Sequence, residues 1–207
     1  MAIDQNIQPA LHPVPIAKLR PTQMTVGYRE VARKRHAWRE YVDRDGAEFL
    51  GRHMIPAVIG PGGTPWLIDN HHLARALHEE GVEHVLISVV ARLDHLPRKR
   101  FLTFMDNRNW LHPYDAEGKR RAYKDLPHSV GKLADDPYRS LAGEMRRAGG
   151  CAKVDTPYAE FLWADFLRAR VSAKLVDKDF ASAVTKALHA AHGEQATYLP
   201  GYCGTHG

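Results

Sequence analysis

Asp69, His71 and His72 lie within four residues of one another, in the stretch Pro65-Trp66-Leu67-Ile68-Asp69-Asn70-His71-His72-Leu73-Ala74-Arg75-Ala76-Leu77-His78. A carboxylate and two imidazoles at that spacing can hold a cation, move a proton or bind an anion. What must position them is a change of period. Trp66, Leu67 and Ile68 give a short apolar strand signal, whereas Leu73, Ala76, Leu77 and Glu80 follow helical spacing until Gly81 stops the helix. The polar residues therefore sit where a strand runs into a helix N-terminus, with Asp69 or Asn70 as the natural N-cap. First-turn amides lack intrahelical partners and carry the positive end of the helix dipole, so Asn70 and His72 are candidates to hold phosphate. Asp69 has three open roles beside phosphate: it can hold a magnesium ion, accept a proton, or simply cap the helix. Asp69, His71 and His72 are then the candidate catalytic residues, with His71 as acid, base or phosphate donor. The competing reading is that Asp69 caps and both histidines pack. Adjacent histidines diverge by about 100° on a helix and no His-Glu-x-x-His pattern occurs, so a structural zinc site is not expected.

The run Ile68-Asp69-Asn70-His71-His72-Leu73-Ala74-Arg75-Ala76-Leu77, with Leu19-Arg20-Pro21-Thr22-Gln23 upstream, resembles the ParB-like N-terminal domain in its ParB-like nuclease branch. That superfamily also includes sulfiredoxin and the free-serine kinases, which share an Asp-Gly-His-His-Arg type of motif whose helix start binds nucleotide phosphates. The resemblance implies that Asp69, His71 and His72 occupy the phosphate or catalytic position. It also implies that Arg75 falls at the end of the arginine-rich box of ParB proteins, and that Gln23 matches the glutamine after their first strand. Asn70 replaces the usual glycine and Leu73 the usual arginine, so Arg75 or another base must supply the missing positive charge. The kinase relatives tend to carry a glutamate where Gln23 stands, and nearby Glu30 would have to replace it as a base. The match spans roughly residues 12–112. Asp136-Pro137-Tyr138-Arg139-Ser140-Leu141-Ala142-Gly143 also resembles the nuclease branch, with Arg139 and Ser140 as first-turn residues that can meet phosphate or solvent.

Length and composition bound these readings. A chain of 207 residues can bury a sizeable core, and no run approaches a membrane span. The first residues lack a basic start followed by an apolar stretch, so no secretory signal is expected and a cytoplasmic location is. Cys151 and Cys203 form neither a Cys-x-x-Cys pair nor a framework, and read as free thiols. The net charge of +5 and a pI near 9.2 make a nucleic acid or polyphosphate partner worth testing. Basic residues cluster at Arg33-Lys34-Arg35, Arg98-Lys99-Arg100 and Lys119-Arg120-Arg121, each expected on a helix. Either they are solvated helix faces, or they converge to bind DNA.

Met1 to Ala10 reads as a polar lead, and Pro13 to Ile16 as an edge strand because proline cannot donate to a sheet. A helix is predicted from Tyr28 to about Asp43, then a strand over Ile55–Ile59 that turns back through Gly60–Pro65. Val85–Ala91 is the strongest buried strand, completing a βαβ-like unit around the histidine helix. Pro97 opens a helix running to Trp110. Beyond His112-Pro113 the pattern becomes helical, with starts at Asp136-Pro137 and Thr156-Pro157 and a last helix from Phe180 to Gly193. In the helix after Thr156, Tyr158, Phe161, Leu162, Phe166 and Leu167 make the apolar face. The expected fold is α+β: a ParB/sulfiredoxin-like small mixed sheet with helices over 12–112, followed by a helical C-terminal region, 113–200, packed on it. The expected function is binding of a nucleotide or other phosphate ligand at Asp69–His72, with phosphoryl-transfer or hydrolase activity and magnesium on Asp69. The alternatives are a nuclease acting on DNA and a noncatalytic DNA-binding, partitioning-type module, though no convincing helix-turn-helix stands out.

Overall fold

The computed structural model describes residues 12–204; the polar lead Met1 to Ala10 lies outside them. The chain is α+β and forms two compact units from interleaved segments. One comprises the described part of Met1–Thr22 with Arg35–Leu111 and Pro127–Lys132; the other comprises Gln23–Lys34, His112–Leu126 and the chain from Leu133 onward.

In the first unit five strands make a mixed sheet: β1 (His12–Pro15), β2 (Arg20–Pro21), β4 (Ile55–Gly60), β5 (Thr64–Leu67) and β6 (His84–Arg92). Their order is β1-β6-β4-β5-β2. Proline-bearing β1 takes an edge, antiparallel to β6, as its missing N–H groups require. β4 and β5 form the expected antiparallel hairpin, with Gly60 opposite Thr64. Gly62 and Gly63 turn it at φ of +69° and +70°, where a side chain is strained. This hairpin changes the expected βαβ unit. It reverses the chain before the histidine helix begins, so β6 pairs in parallel with β4, which lies between it and β5.

Helix α1 (Tyr28–Arg52) outruns its expected end near Asp43. Asp45 leaves helical geometry, with φ −143° and ψ 33°, but helix resumes beyond it. Buried Phe49 meets Trp38 edge-on at 5.4 Å, and that packing outweighs the poor helix propensity of Gly46 and Gly51. Helix α2 (His71–Glu79) buries Leu73, Ala74, Ala76 and Leu77, the stripe its spacing predicts. Arg35 and Arg39 of α1 clamp Glu80 at 2.5 and 2.7 Å, which fixes this part of α1 against the end of α2. Those hydrogen bonds, that of Arg39 foremost, hold the Glu80 carboxyl below its ordinary range against the opposing effect of burial. Helix α3 (Arg98–Asn107) buries Phe101, Leu102 and Met105 and ends before Trp110.

The second unit pairs β3 (Thr25–Val26) in parallel with β7 (Ala134–Asp135). Helix α4 (Pro137–Arg147) starts as its sequence predicts: Asp136 Oδ1 accepts from Tyr138 N at 3.0 Å and proline occupies the first position. Helix α5 (Ala159–Arg168) does not repeat this. Thr156 makes no cap, and Tyr158 precedes the helix in the left-handed region, φ 59°. Phe161, Trp163, Ala164, Phe166 and Leu167 are buried, whereas Leu162 turns out to solvent. Helix α6 (Ala173–Lys178), capped by Ser172, is too short to have a sequence period; α7 (Phe180–His192) ends at Gly193 as expected. Leu141, Met145, Leu167, Ala183 and Ala187 form the centre of this core.

Candidate functional site

Helix α2 begins at a backbone bend and not at an ordinary cap. Asn70 adopts φ 59° and ψ 29°, and its side chain turns away to donate from Nδ2 to the Met54 carbonyl at 3.1 Å. Glycine and asparagine occupy this region at low cost, which accounts for Asn70 standing where glycine is usual in the motif. Asp69 is exposed, and its Oδ1 accepts from the Asn70 N–H at 2.7 Å. The Asn70 side chain therefore makes no cap hydrogen bond to α2, contrary to one of the two N-cap expectations.

The two histidines differ. His71 is 2% exposed, and its Nε2 lies 3.2 Å from Thr22 N and 3.3 Å from Thr22 Oγ1. The threonine hydroxyl donates to the Leu67 carbonyl at 2.8 Å, so its backbone N–H is the donor to the imidazole. His71 is thereby assigned as the neutral tautomer with its proton on Nδ1. This arrangement joins the end of β5, the residue after β2 and the first turn of α2. His72, half-buried, occupies that same turn. Thr22 and the strand end Leu67 are the partners that sequence could not supply, because the contact closes a loop of 49 residues.

Arg75 is committed elsewhere on α2. Its Nε bonds Glu79 Oε1 at 2.6 Å and its Nη1 donates to the Gly131 carbonyl at 2.9 Å, with 14% of the side chain exposed. Another cation stands on β2, where Arg20 Nη1 lies 2.6 Å from His128 Nδ1.

Gln23 belongs to the second unit, where its Oε1 accepts from Arg139 Nη1 at 3.1 Å. Arg139 and Ser140, for which a surface position was one expectation, are 4% and 2% exposed. Arg139 also donates to the Thr25 carbonyl at 2.5 Å, lies 3.3 Å from Glu160 and stacks over Phe161 at 3.9 Å. The His112 ring packs 4.0 Å from Phe161 and 4.5 Å from Tyr158. Beneath α4, Asp136 feels burial that pushes its carboxyl up, while Arg168, 2.7 Å away, pulls it down; burial wins.

The basic runs fare unequally. Arg33 is paired with Glu30, Lys34 is half-buried and Arg35 is paired with Glu79 and Glu80. Arg98, Lys99 and Arg100 are all exposed in the first turn of α3. Lys119, Arg120 and Arg121 are not on a helix but in a turn and its return, where Tyr114 pairs with Arg120. Gly118 closes that turn at φ +75°, its N–H donating back to the Asp115 carbonyl at 3.0 Å, which breaks the helical pattern.

Among the described residues, no three His, Cys, Asp or Glu side chains come together as a metal-ligand set. Asp69 offers one exposed carboxylate, and a lone carboxylate suits a cation that keeps most of its waters, as magnesium does.

A mixed sheet with a left-handed bend opening a histidine helix makes this an α+β protein. The family model described as "Putative ParB-like nuclease" matches residues 12–169, and the chain belongs to that family. It is similar to the crystal structure of protein Atu1540 from Agrobacterium tumefaciens, with 49% identity, 97% of this chain and 100% of that chain covered, and a TM-score of 0.90. No curated protein matches the chain. Among the described residues no helix is long and apolar enough to cross a membrane.

Proposed function

We propose that the protein binds a nucleotide or another phosphate ligand at the start of α2 and carries out phosphoryl-transfer or hydrolytic chemistry there, in the cytoplasm. The observation that carries this reading is the left-handed bend at Asn70, whose side chain turns back to Met54 and so leaves the start of α2, where the positive end of the helix dipole lies. Such a helix start favours an anion. In this scheme His72 and the first-turn amides hold phosphate, and exposed Asp69 holds magnesium or takes a proton. Magnesium, when bound, would neutralise phosphate charge. His71 acts as a positioning residue, since its Nε2 is occupied by Thr22 N–H. Arg75 supports the helix through Glu79 and Gly131.

A second reading, a nuclease acting on DNA with the same residues, is favoured by the family description and by the exposed Arg98-Lys99-Arg100 run. Calorimetric titration of ATP, ADP, CTP and a short DNA duplex, each with magnesium, into the wild type and His72→Ala tests both. The phosphate reading expects nucleotide binding that His72→Ala abolishes. Binding to DNA alone, salt-sensitive and indifferent to His72, overturns it.

A further inference from the structure

The second unit holds a pocket of about 550 Å³ that no residue of the α2 site touches. Arg29 and Arg33 from the start of α1, Ser140 and Arg147 from α4, and Phe180 and Val184 from α7 line it. Its volume is in the range of pockets that take small organic ligands. Its walls are of two kinds. Phe180, Ala181 and Val184 are apolar, and the Arg29 guanidinium carbon lies over the Phe180 ring, 4.0 Å from its centroid. Opposite chemistry comes from the three guanidinium groups, two of which are held by the Glu30 and Glu144 carboxylates. Glu30 receives Arg33 at 2.5 Å and Arg147 at 2.7 Å, while Glu144 receives Arg147 at 2.6 Å. Burial alone would raise the Glu30 carboxyl, but its two arginines outweigh burial and hold it below its ordinary range, so it stays ionised near neutrality. Arg33 and Arg147 are therefore neutralised in place. Arg29 is not: among the described residues its guanidinium makes no ion pair, and Asp135, the acid that feels its charge, directs Oδ1 to the Tyr28 N–H.

Ser140 adds a donor. It is 2% exposed, and its Oγ accepts from the Arg29 N–H at 3.2 Å, which leaves the hydroxyl proton to donate. Its place is tightly fixed, since a Cβ at Gly27 would fall 2.5 Å from that oxygen. A guanidinium outside any ion pair among the described residues, set over an aromatic wall with a buried hydroxyl beside it, suits a ligand with one negative end and one apolar body. We infer that this pocket binds a small organic anion, a carboxylate, sulfonate or phosphate ester carrying an aryl or alkyl group, with the anion on Arg29 and Ser140 and the apolar part against Phe180 and Val184. The pocket does not depend on the phosphate reading of α2.

The test is calorimetric titration of the full chain with 1-anilinonaphthalene-8-sulfonate, and with uncharged N-phenyl-1-naphthylamine as its neutral counterpart. One site is expected for the sulfonate, with roughly tenfold or greater preference over the neutral probe, as loss of a charge-assisted hydrogen bond implies. Arg29→Gln should weaken the sulfonate by a similar factor and leave the neutral probe unchanged. Ala181→Trp, at an exposed rim position and so safe for folding, should block both. Absence of one-site binding, equal affinity for both probes, or sulfonate binding that survives both substitutions overturns the inference.

Discussion

Replacing His71 and His72 in turn by alanine should give opposite results, although the two are neighbours of the same type. His71 is 2% exposed and receives the Thr22 N–H at 3.2 Å. Removing the imidazole leaves that buried N–H without its acceptor, which costs roughly 1–3 kcal/mol. The emptied ring volume adds on the order of 1–2 kcal/mol, depending on how far Leu67 and Thr22 relax. His71→Ala should therefore lose about 2–5 kcal/mol, a large part of a typical domain's stability. His72, half-buried in the same turn, should lose no more than about 0.5 kcal/mol on truncation. Urea unfolding followed by circular dichroism reads the difference directly, and if the two units unfold in separate steps the loss belongs to the first. A His71→Ala protein as stable as the wild type, or a His72→Ala protein as weak as His71→Ala, would refute the assignment of His71 as the anchor.

Three further outcomes follow from particular contacts. Asn70→Val should destabilise by roughly 1–2 kcal/mol more than Asn70→Gly, because φ 59° is costly for a β-branched residue; equal midpoints in urea would contradict the left-handed bend. Arg168→Ala should cost about 3 kcal/mol by stranding the buried Asp136 carboxylate, and adding Asp136→Asn should recover part of it; no recovery in the double variant would show that lost packing, not charge, is responsible. The Glu80 and Glu30 carboxyls are held below the ordinary glutamate value of 4.5, so they release protons more readily folded than unfolded. Their stabilisation is present above pH 4.5 and fades as pH falls through their folded values, while Asp136, raised by burial, works in the opposite sense. Arg39→Ala should flatten the acid limb of a stability profile taken from pH 7 to about 3, and an unchanged limb would exclude the Glu80 clamp as a contributor.

Much of this fold was legible where local signals were strong. The proline edge strand, the Gly60–Pro65 reversal, the Val85–Ala91 strand and the Asp136-Pro137 helix start all declare themselves in a few residues, and each stands in the structure, although the expected burial of Val85–Ala91 does not: only Val85 and Ile87 are buried and Val90 is exposed. What could not be read depends on distant partners. Helix α1 passes Asp43 because Phe49 finds Trp38, and β6 chooses β4 over β5 because the hairpin reverses the chain first. Tyr158 copies the spelling of a helix start without its geometry. At the candidate site, sequence named the strand-to-helix joint but could not separate His71 from His72, since that distinction rests on Thr22, 49 residues away. Arg139 was open to either a phosphate or solvent, yet it is buried against Gln23 and the Thr25 carbonyl, a pairing across more than 110 residues.

The most direct test of the central claim is a map of amide chemical shifts while magnesium and CTP are titrated into the labelled protein, repeated with inorganic phosphate. The account predicts shifts that saturate and concentrate on Asn70 through Ala74, with the imidazole of His72 moving and that of His71 still bonded to Thr22. Saturable binding that leaves those amides unmoved and shifts residues elsewhere, such as the start of α3, would contradict it and detach the ligand from the histidine helix.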